Sequence, residues 1–326
     1  MRNVLNVLYV RAATRLTTAA LLATLAALPP TLPPLIAGAA AEPTTTRAAF
    51  LPSLPRVDLA RRIGDYVAPF GVRRTYQQPT EAERATLADG VALLAAGNAG
   101  AARAELARVG YGVTTLRDQA TGRGVLEVAD LSADREARRG WGRVYVDLDR
   151  RAGFWKPGTV RHWTLQVPHP VYDMATEQVA TAVFRDAPGA IMVVAGAHRT
   201  LADPAHDLTT VFAAVIDRLA LPGLQVHGFA AESLPDYEAI PTPGYGPVTP
   251  QVRALADSLD AAGIPACRVW ERACGDLGGT LNVEGRFAAA QGLPFVHLEL
   301  APDERTDPAA RDHLATVLAA FIRTWR

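Results

Sequence analysis

The sequence predicts an α/β protein: a three-layer αβα unit with a mostly parallel mixed sheet, preceded by a small α+β N-terminal region. Three observations carry the prediction. From Arg161 onward short apolar runs alternate with helical stretches. Polar residues able to do chemistry fall just after those runs. A chain of 326 residues with 49% hydrophobic and 20% charged residues is neither a disordered polar chain nor a collagen-like one.

Residues 1–41 read as an export signal. Arg2, Arg11 and Arg15 precede the apolar run Leu16 to Leu28, and Ala39, Ala40 and Ala41 supply the small residues of a cleavage site. Pro29, Pro30, Pro33 and Pro34 stop the run short of the ~20 residues of a spanning helix, and no later stretch is long and apolar enough to span. Residues 42–79 read as a linker with one short helix near Leu59 to Tyr66. Residues 80–160 make the small α+β region. There, Thr80 with Glu81 and Glu83 starts a helix that ends at Gly97, and Ala101 to Val109 forms a second. Tyr111–Leu116, Gly124–Val128 and Gly142–Val146 are short strands.

In the αβα unit, 161–326, the expected strands are Thr164–Val167, Ala190–Val194, Leu224–Val226, Ala266–Val269 and Phe295–Leu298. The expected helices are Thr176–Phe184, Leu208–Leu219, Pro250–Ala262, Val283–Ala290 and Pro308–Trp325. Cys267 and Cys274, the only cysteines, form either one small disulfide loop or two buried thiols.

The 33 basic and 33 acidic residues cancel, and no run of like charge favours nucleic acid. Without the export segment 30 basic and 33 acidic residues remain. The single lysine, Lys156, reflects a preference for arginine and carries no functional reading. The nucleotide-binding patterns GxGxxG and GxxxxGK[ST] and the GxSxG elbow of serine hydrolases are absent. The expected partner is a small molecule or a peptide. Oligomeric state is not readable from the sequence.

In a parallel sheet, ligands bind where strands run out into loops. His169 follows the first strand in VPHPVYDMATE, His198 and Arg199 follow the second in VVAGAHR, His227 the third in LQVHGF, and Glu299 closes the last in FVHLEL. Two imidazoles and a carboxylate suit Zn²⁺ with a fourth position open to water. His169 and His227 supply the nitrogens, and Asp173 or Glu177 the oxygen. Glu299 is the expected general base. Arg199 and Arg286 are candidates to grip a substrate carboxylate. Asn282, in the tight-turned LGGTLNVEGR, is a candidate ligand contact. His198, Arg199, Asp203 and His206 form a second polar group that either positions substrate or holds itself together, with Asp203 capping the next helix. PTPGYGPVTP, 241–250, is either a rim loop or a plain connection.

The ordered set PHP with TE, AHR with ADPAH, QVHGF, GTLNVEGR and HLEL resembles the N-formylglutamate amidohydrolase-like proteins over about Arg161 to Arg326. More distantly it is similar to the zinc N-acetylmuramoyl-L-alanine amidases and zinc carboxypeptidases of the phosphorylase/hydrolase-like fold. The resemblance implies a zinc ion held by His169, Glu177 and His227, Glu299 as the catalytic carboxylate, and an amide bond as target. The chain lacks the HxxE pair of the carboxypeptidases and carries glycine where the formylglutamate enzymes have HS. The expectation is an exported zinc-dependent amidohydrolase acting on a small N-acyl amino acid or a cell-wall peptide. Two other readings stand beside it: a non-catalytic ligand- or peptide-binding protein on the same fold, and an adaptor formed by Thr80 to Asp149.

Overall fold

The structure, a computed structural model, describes residues 54–73, 75–148 and 163–325. The expected export segment and Lys156 lie outside the described residues. In chain order the elements are β1 (Arg56–Val57), α1 (Leu59–Val67), α2 (Phe70–Arg73), α3 (Glu81–Ala95), α4 (Ala99–Ala107), β2 (Tyr111–Asp118), β3 (Gly124–Asp130), α5 (Ala133–Arg139) and β4 (Arg143–Asp147). Then follow β5 (Trp163–Val167), α6 (Thr176–Asp186), β6 (Ala190–Val194), α7 (Val211–Leu219), β7 (Gly223–Gly228), β8 (Ala239–Thr242), α8 (Pro250–Ala261), α9 (Val283–Gln291), β9 (Phe295–Leu300), α10 (Pro302–Thr306) and α11 (Pro308–Ile322).

One nine-stranded sheet runs in the order β1-β2-β3-β4-β6-β5-β7-β9-β8. Its centre, β6-β5-β7-β9, is parallel, whereas β2, β3 and β4 join antiparallel on one side and β8 on the other. Strands β2 to β4 thus continue the main sheet through the pairing of β4 with β6, rather than folding as a region of their own. Helix α1, in the stretch read as linker, buries Leu59, Ile63, Tyr66 and Val67 in the main core. Two apolar layers sandwich the sheet. One joins α1, α6, α8 and α11 to Leu165, Val167, Leu224, Val226, Val296 and Leu298. The other joins α3, α4 and α7 to β2–β4 and to Ile191 and Val193.

Most boundaries follow local chemistry. Thr80 and Glu83 form the capping box that starts α3, Thr210 caps α7 and Thr249 caps α8 ahead of Pro250. Ala266–Val269 is no strand. It contributes one bridge, Ala266 to Ala239, and Cys267 is held in a disulfide with Cys274. The edge is supplied instead by β8, whose proline-bearing AIPT pairs along its length with β9 and is met on its other side only at Ala239, by Ala266. Helix α6 starts after Ala175 at φ 67, with Thr176 as its first residue.

The loop after β6 is pressed against the start of β4. A Cβ on Gly196 would collide with backbone atoms of Gly140 and Gly142. Gly196→Ala is therefore expected to lower stability by about 1–3 kcal/mol. A fall in the urea midpoint at unchanged m value checks this, and an unmoved midpoint contradicts the close crossing.

Candidate metal centre

Side chains alternate along each strand, so the residues between the apolar ones of β5, β7 and β9 all face one way. They are Thr164 and Gln166, Gln225 and His227, and His297 and Glu299, every one of them buried. Register places Gln166 beside Gln225, Gln225 beside His297, and His227 beside Glu299. A polar stripe thus crosses the middle of the sheet and opens, at the strands' carboxyl ends, into a cavity of about 220 Å³.

His169, Asp173 and His227 meet there. Asp173 Oδ2 lies 3.1 Å from His169 Nδ1 and 3.2 Å from His227 Nδ1. The far nitrogens are engaged elsewhere: His169 Nε2 lies 2.8 Å from Asp203 Oδ1, and His227 Nε2 lies 2.7 Å from Gln225 Oε1. A neutral imidazole has one N–H, and with that proton on the outer nitrogen each Nδ1 turns a lone pair toward the Asp173 carboxylate. Three electron-pair donors then face one another, the situation a cation resolves. Ligands at roughly 2.0–2.1 Å from a tetrahedral ion lie about 3.3 Å apart, close to the observed separations. The donor set and its outer hydrogen bonds fit a borderline-soft divalent ion.

A second group of possible ligands, His227, His297 and Glu299, shares His227. Because Gln225 takes the Nε2 proton of His227, only its Nδ1 can face an ion, and that atom already faces Asp173. The His297 ring stacks on His227 at 4.4 Å, with Nε2 3.7 Å from Glu299 Oε1. Gly279, at φ +62, makes room for it: a Cβ there would lie 2.7–2.8 Å from three atoms of the ring.

Electrostatics divide the groups. Burial pulls the His169 imidazole down, but Asp173 and Asp203 outweigh burial and leave it above its ordinary value. Burial would raise the Asp173 carboxyl, and the two imidazoles overcome that and hold it well below the carboxylate range. Burial lowers His227 to about 4 and pulls His297 down as well. Glu299, 9% exposed, is pushed up to about 8 by burial and by the nearby Asp173 charge. Its Oε2 has no hydrogen-bond partner. The buried Arg305 does not neutralise it, since that guanidinium donates to the carbonyls of Leu300, Ala301, Met174 and Phe229. These bonds tie the Asp173 loop to the ends of β7 and β9.

Of the residues singled out in the sequence, His169, His227 and Glu299 come together. Asp173, not Glu177, is the carboxylate between the imidazoles. Val171 and Ala175, at φ 71 and φ 67, turn the loop so that Asp173 points back at His169, a strained path for a β-branched residue. Glu177 sits buried in the first turn of α6, outside both ligand groups, with its carboxyl raised by burial. Arg199 lines the cavity, donating from Nη2 to Asp203 at 2.8 Å, and its guanidinium lies 4.9 Å from the Tyr172 ring centroid. Asp203 also contacts His206, and is therefore a holder of His169 rather than a helix cap. His198 bonds to Thr200 and packs on Tyr172, outside the cavity lining. Asn282 does line it, but its amide is committed: Oδ1 accepts from Gly285 N–H and Nδ2 donates to Gln225. Arg286 is exposed over Tyr245 and does not line the cavity. His297, Gln225 and Arg305 were not legible as site residues. Only the alternation within FVHLEL, which puts His297 on the face of Glu299, held the signal.

No protein-family model matches the chain, and no curated protein matches it. Among solved structures it is similar to the gene product Atu2144 from Agrobacterium tumefaciens, with 10% identity and a TM-score of 0.41 over 51% of this chain and 88% of that one. It is also similar to a bacteriophage poly-gamma-glutamate hydrolase, with 13% identity and a TM-score of 0.36 over 50% and 83% of the two chains. Zinc-free YndL aligns at 14% identity and a TM-score of 0.34 over 50% and 84%.

Behind the centre, burial pushes Glu284 from 4.5 up to about 8. Across that interval the folded chain keeps a proton that the unfolded chain releases, so this group's contribution to stability falls as pH rises from about 4.5 to about 8. Glu284→Gln is therefore expected to gain stability relative to the parent chain between about pH 5 and about pH 8. Denaturant midpoints at the two pH values check it, and a difference that stays constant contradicts it.

Proposed function

We propose that the chain is a zinc-dependent amide hydrolase with His169, Asp173 and His227 as ligands and Glu299 as the proton-moving carboxylate. The observation that carries the reading is the Asp173 carboxylate lying within 3.1–3.2 Å of two imidazole Nδ1 atoms, beside a cavity that Glu299 also lines. Bound zinc supplies Lewis acidity, polarising an amide carbonyl and making water a nucleophile near neutral pH. The chain's own residues do the rest. Glu299, whose carboxyl the charge of a bound ion would draw down from its raised value, would take a proton from water and return it to the leaving nitrogen, a role suited to a buried carboxyl with an unpartnered oxygen. Asp203 holds His169 in place. Arg199, steadied by Asp203 and Tyr172, offers its remaining N–H groups to a substrate carboxylate.

The cavity volume of about 220 Å³ favours a small acyl group or one peptide residue at the reacting end. N-acyl amino acids and short cell-wall peptides are the substrates we infer. The basic, apolar and small-residue layout of residues 1–41 supports export, which puts the substrate outside the cytoplasm. Among the described residues no helix is long and apolar enough to cross a membrane. Glu299 lines the cavity and is in no arginine ion pair among the described residues, which favours turnover over a purely binding role.

Metal content and turnover of the purified chain test the reading together. The parent protein is expected to hold one zinc per chain, Asp173→Ala to lose it and Glu177→Gln to keep it, by elemental analysis. Glu299→Gln is expected to keep zinc but lower kcat on N-acyl amino acids or peptides by about 10²–10⁴-fold. A zinc-free parent chain, or Glu299→Gln with undiminished turnover, overturns the proposal.

A further inference from the structure

The polar stripe behind the metal centre is a hydrogen-bond chain with a direction. It begins at the Pro222 carbonyl, which can only accept. Thr164 Oγ1 donates to it at 3.2 Å, and so accepts from Gln166 Nε2 at 2.8 Å. Gln166 therefore turns Oε1 toward Gln225, whose Nε2 donates to it at 3.0 Å and to Glu284 Oε2 at 3.1 Å. Gln225 Oε1 is left facing His227 Nε2 at 2.7 Å. A second terminus agrees independently. The Gly285 backbone N–H can only donate, and does so to Asn282 Oδ1 at 2.8 Å, so Asn282 Nδ2 donates to Gln225 Oε1 at 2.5 Å. Both termini make Gln225 Oε1 an acceptor, and an acceptor there requires the His227 proton on Nε2. Gly223 keeps the path open, since a Cβ on it would lie 2.6 Å from Gln166 Nε2.

We propose that Gln225 is a positioning residue: with Gln166, Thr164 and Asn282 it locks His227 in the Nε2–H tautomer, leaving the Nδ1 lone pair for the metal. The direction of the chain is a property of the folded protein and holds before any ion arrives. Only the use made of Nδ1 rests on the metal-site reading above. A carboxylate in place of Gln225 would accept from His227 equally well but would set a second acceptor against Gln166 Oε1. The amide satisfies both sides at once.

The test is a long-range ¹⁵N–¹H correlation spectrum of the metal-free chain labelled at histidine, with Gln225→Met to assign and perturb the His227 signals. His227 is expected as the Nε2–H tautomer in the parent chain and as a mixture of tautomers in Gln225→Met. An Nδ1–H tautomer in the parent chain overturns the proposal whether or not zinc binds. The same spectrum after zinc addition is expected to show Nδ1 as the ligated nitrogen, and Gln225→Met to bind zinc about 10–100-fold more weakly in chelator competition. A parent chain that binds no zinc defeats the metal-site reading while the tautomer result still stands. Undiminished affinity in a folded Gln225→Met, in a protein that does bind zinc, defeats the positioning role. Should Gln225→Met fail to fold, Thr164→Val interrupts the chain at its far end and is expected to weaken zinc binding in the same direction. Unchanged affinity there is then the overturning result.

Discussion

The constraint on which the site depends is the placement of one carboxylate oxygen against two imidazole nitrogens whose protons are held on their other sides. Asp203 holds the outer nitrogen of His169, and Gln225 holds that of His227. A buried carboxylate facing two lone pairs is unfavourable by itself. Asp173 and Asp203 oppose the effect of burial on His169 and leave that imidazole above its ordinary value. A divalent ion relieves the facing lone pairs without a proton. The outer acceptors decide which nitrogens point inward, so they belong to the site as much as the inward-facing atoms do.

The sheet explains why such a cluster can exist inside a stable protein. Every second residue of β5, β7 and β9 enters the apolar layer with α6, α8 and α11, and that layer is continuous. The remaining residues are free to be polar because they satisfy one another from Pro222 to His227. Where the chain of bonds ends, partners run short: His297 Nδ1, Glu299 Oε2 and Glu284 Oε1 are buried without one. Two of these three atoms belong to cavity-lining residues, so the deficit falls where a substrate or an ion can answer it.

Much of this was legible in the sequence, and the limits have physical causes. Strand ends were readable because a parallel sheet buried on both faces writes short apolar runs, and His169, His227 and Glu299 stand at the ends of three of them. The Asp173 position was not. Spacing alone allows Asp173 or Glu177, and the resemblance to known amidohydrolases favoured Glu177. What separates the two is a pair of left-handed residues, Val171 and Ala175, that no local propensity announces. Ala266–Val269 has strand composition, yet the disulfide loop it enters takes its place beside the sheet edge. Strands β2 to β4 were found nearly at their observed ends, but their joining to β6 is a long-range pairing that periodicity does not encode.

The strained loop and the buried arginine form one device. Val171 and Ala175 hold conformations that cost of order 1–3 kcal/mol each unless their surroundings impose them. Arg305 does much of the imposing, with donors to Met174 within the loop, to Phe229 after β7 and to Leu300 and Ala301 after β9. Gly228 leaves space for its guanidinium, because a Cβ there would run into it. Burial lowers the Arg305 pKa, but the group stays charged at any ordinary pH and can only donate, so four carbonyls at the carboxyl end of the sheet are drawn to one point. The result is that the loop bearing Asp173 and the strands bearing His227 and Glu299 share an anchor. The three side chains are thereby set against one another by covalent backbone and one guanidinium.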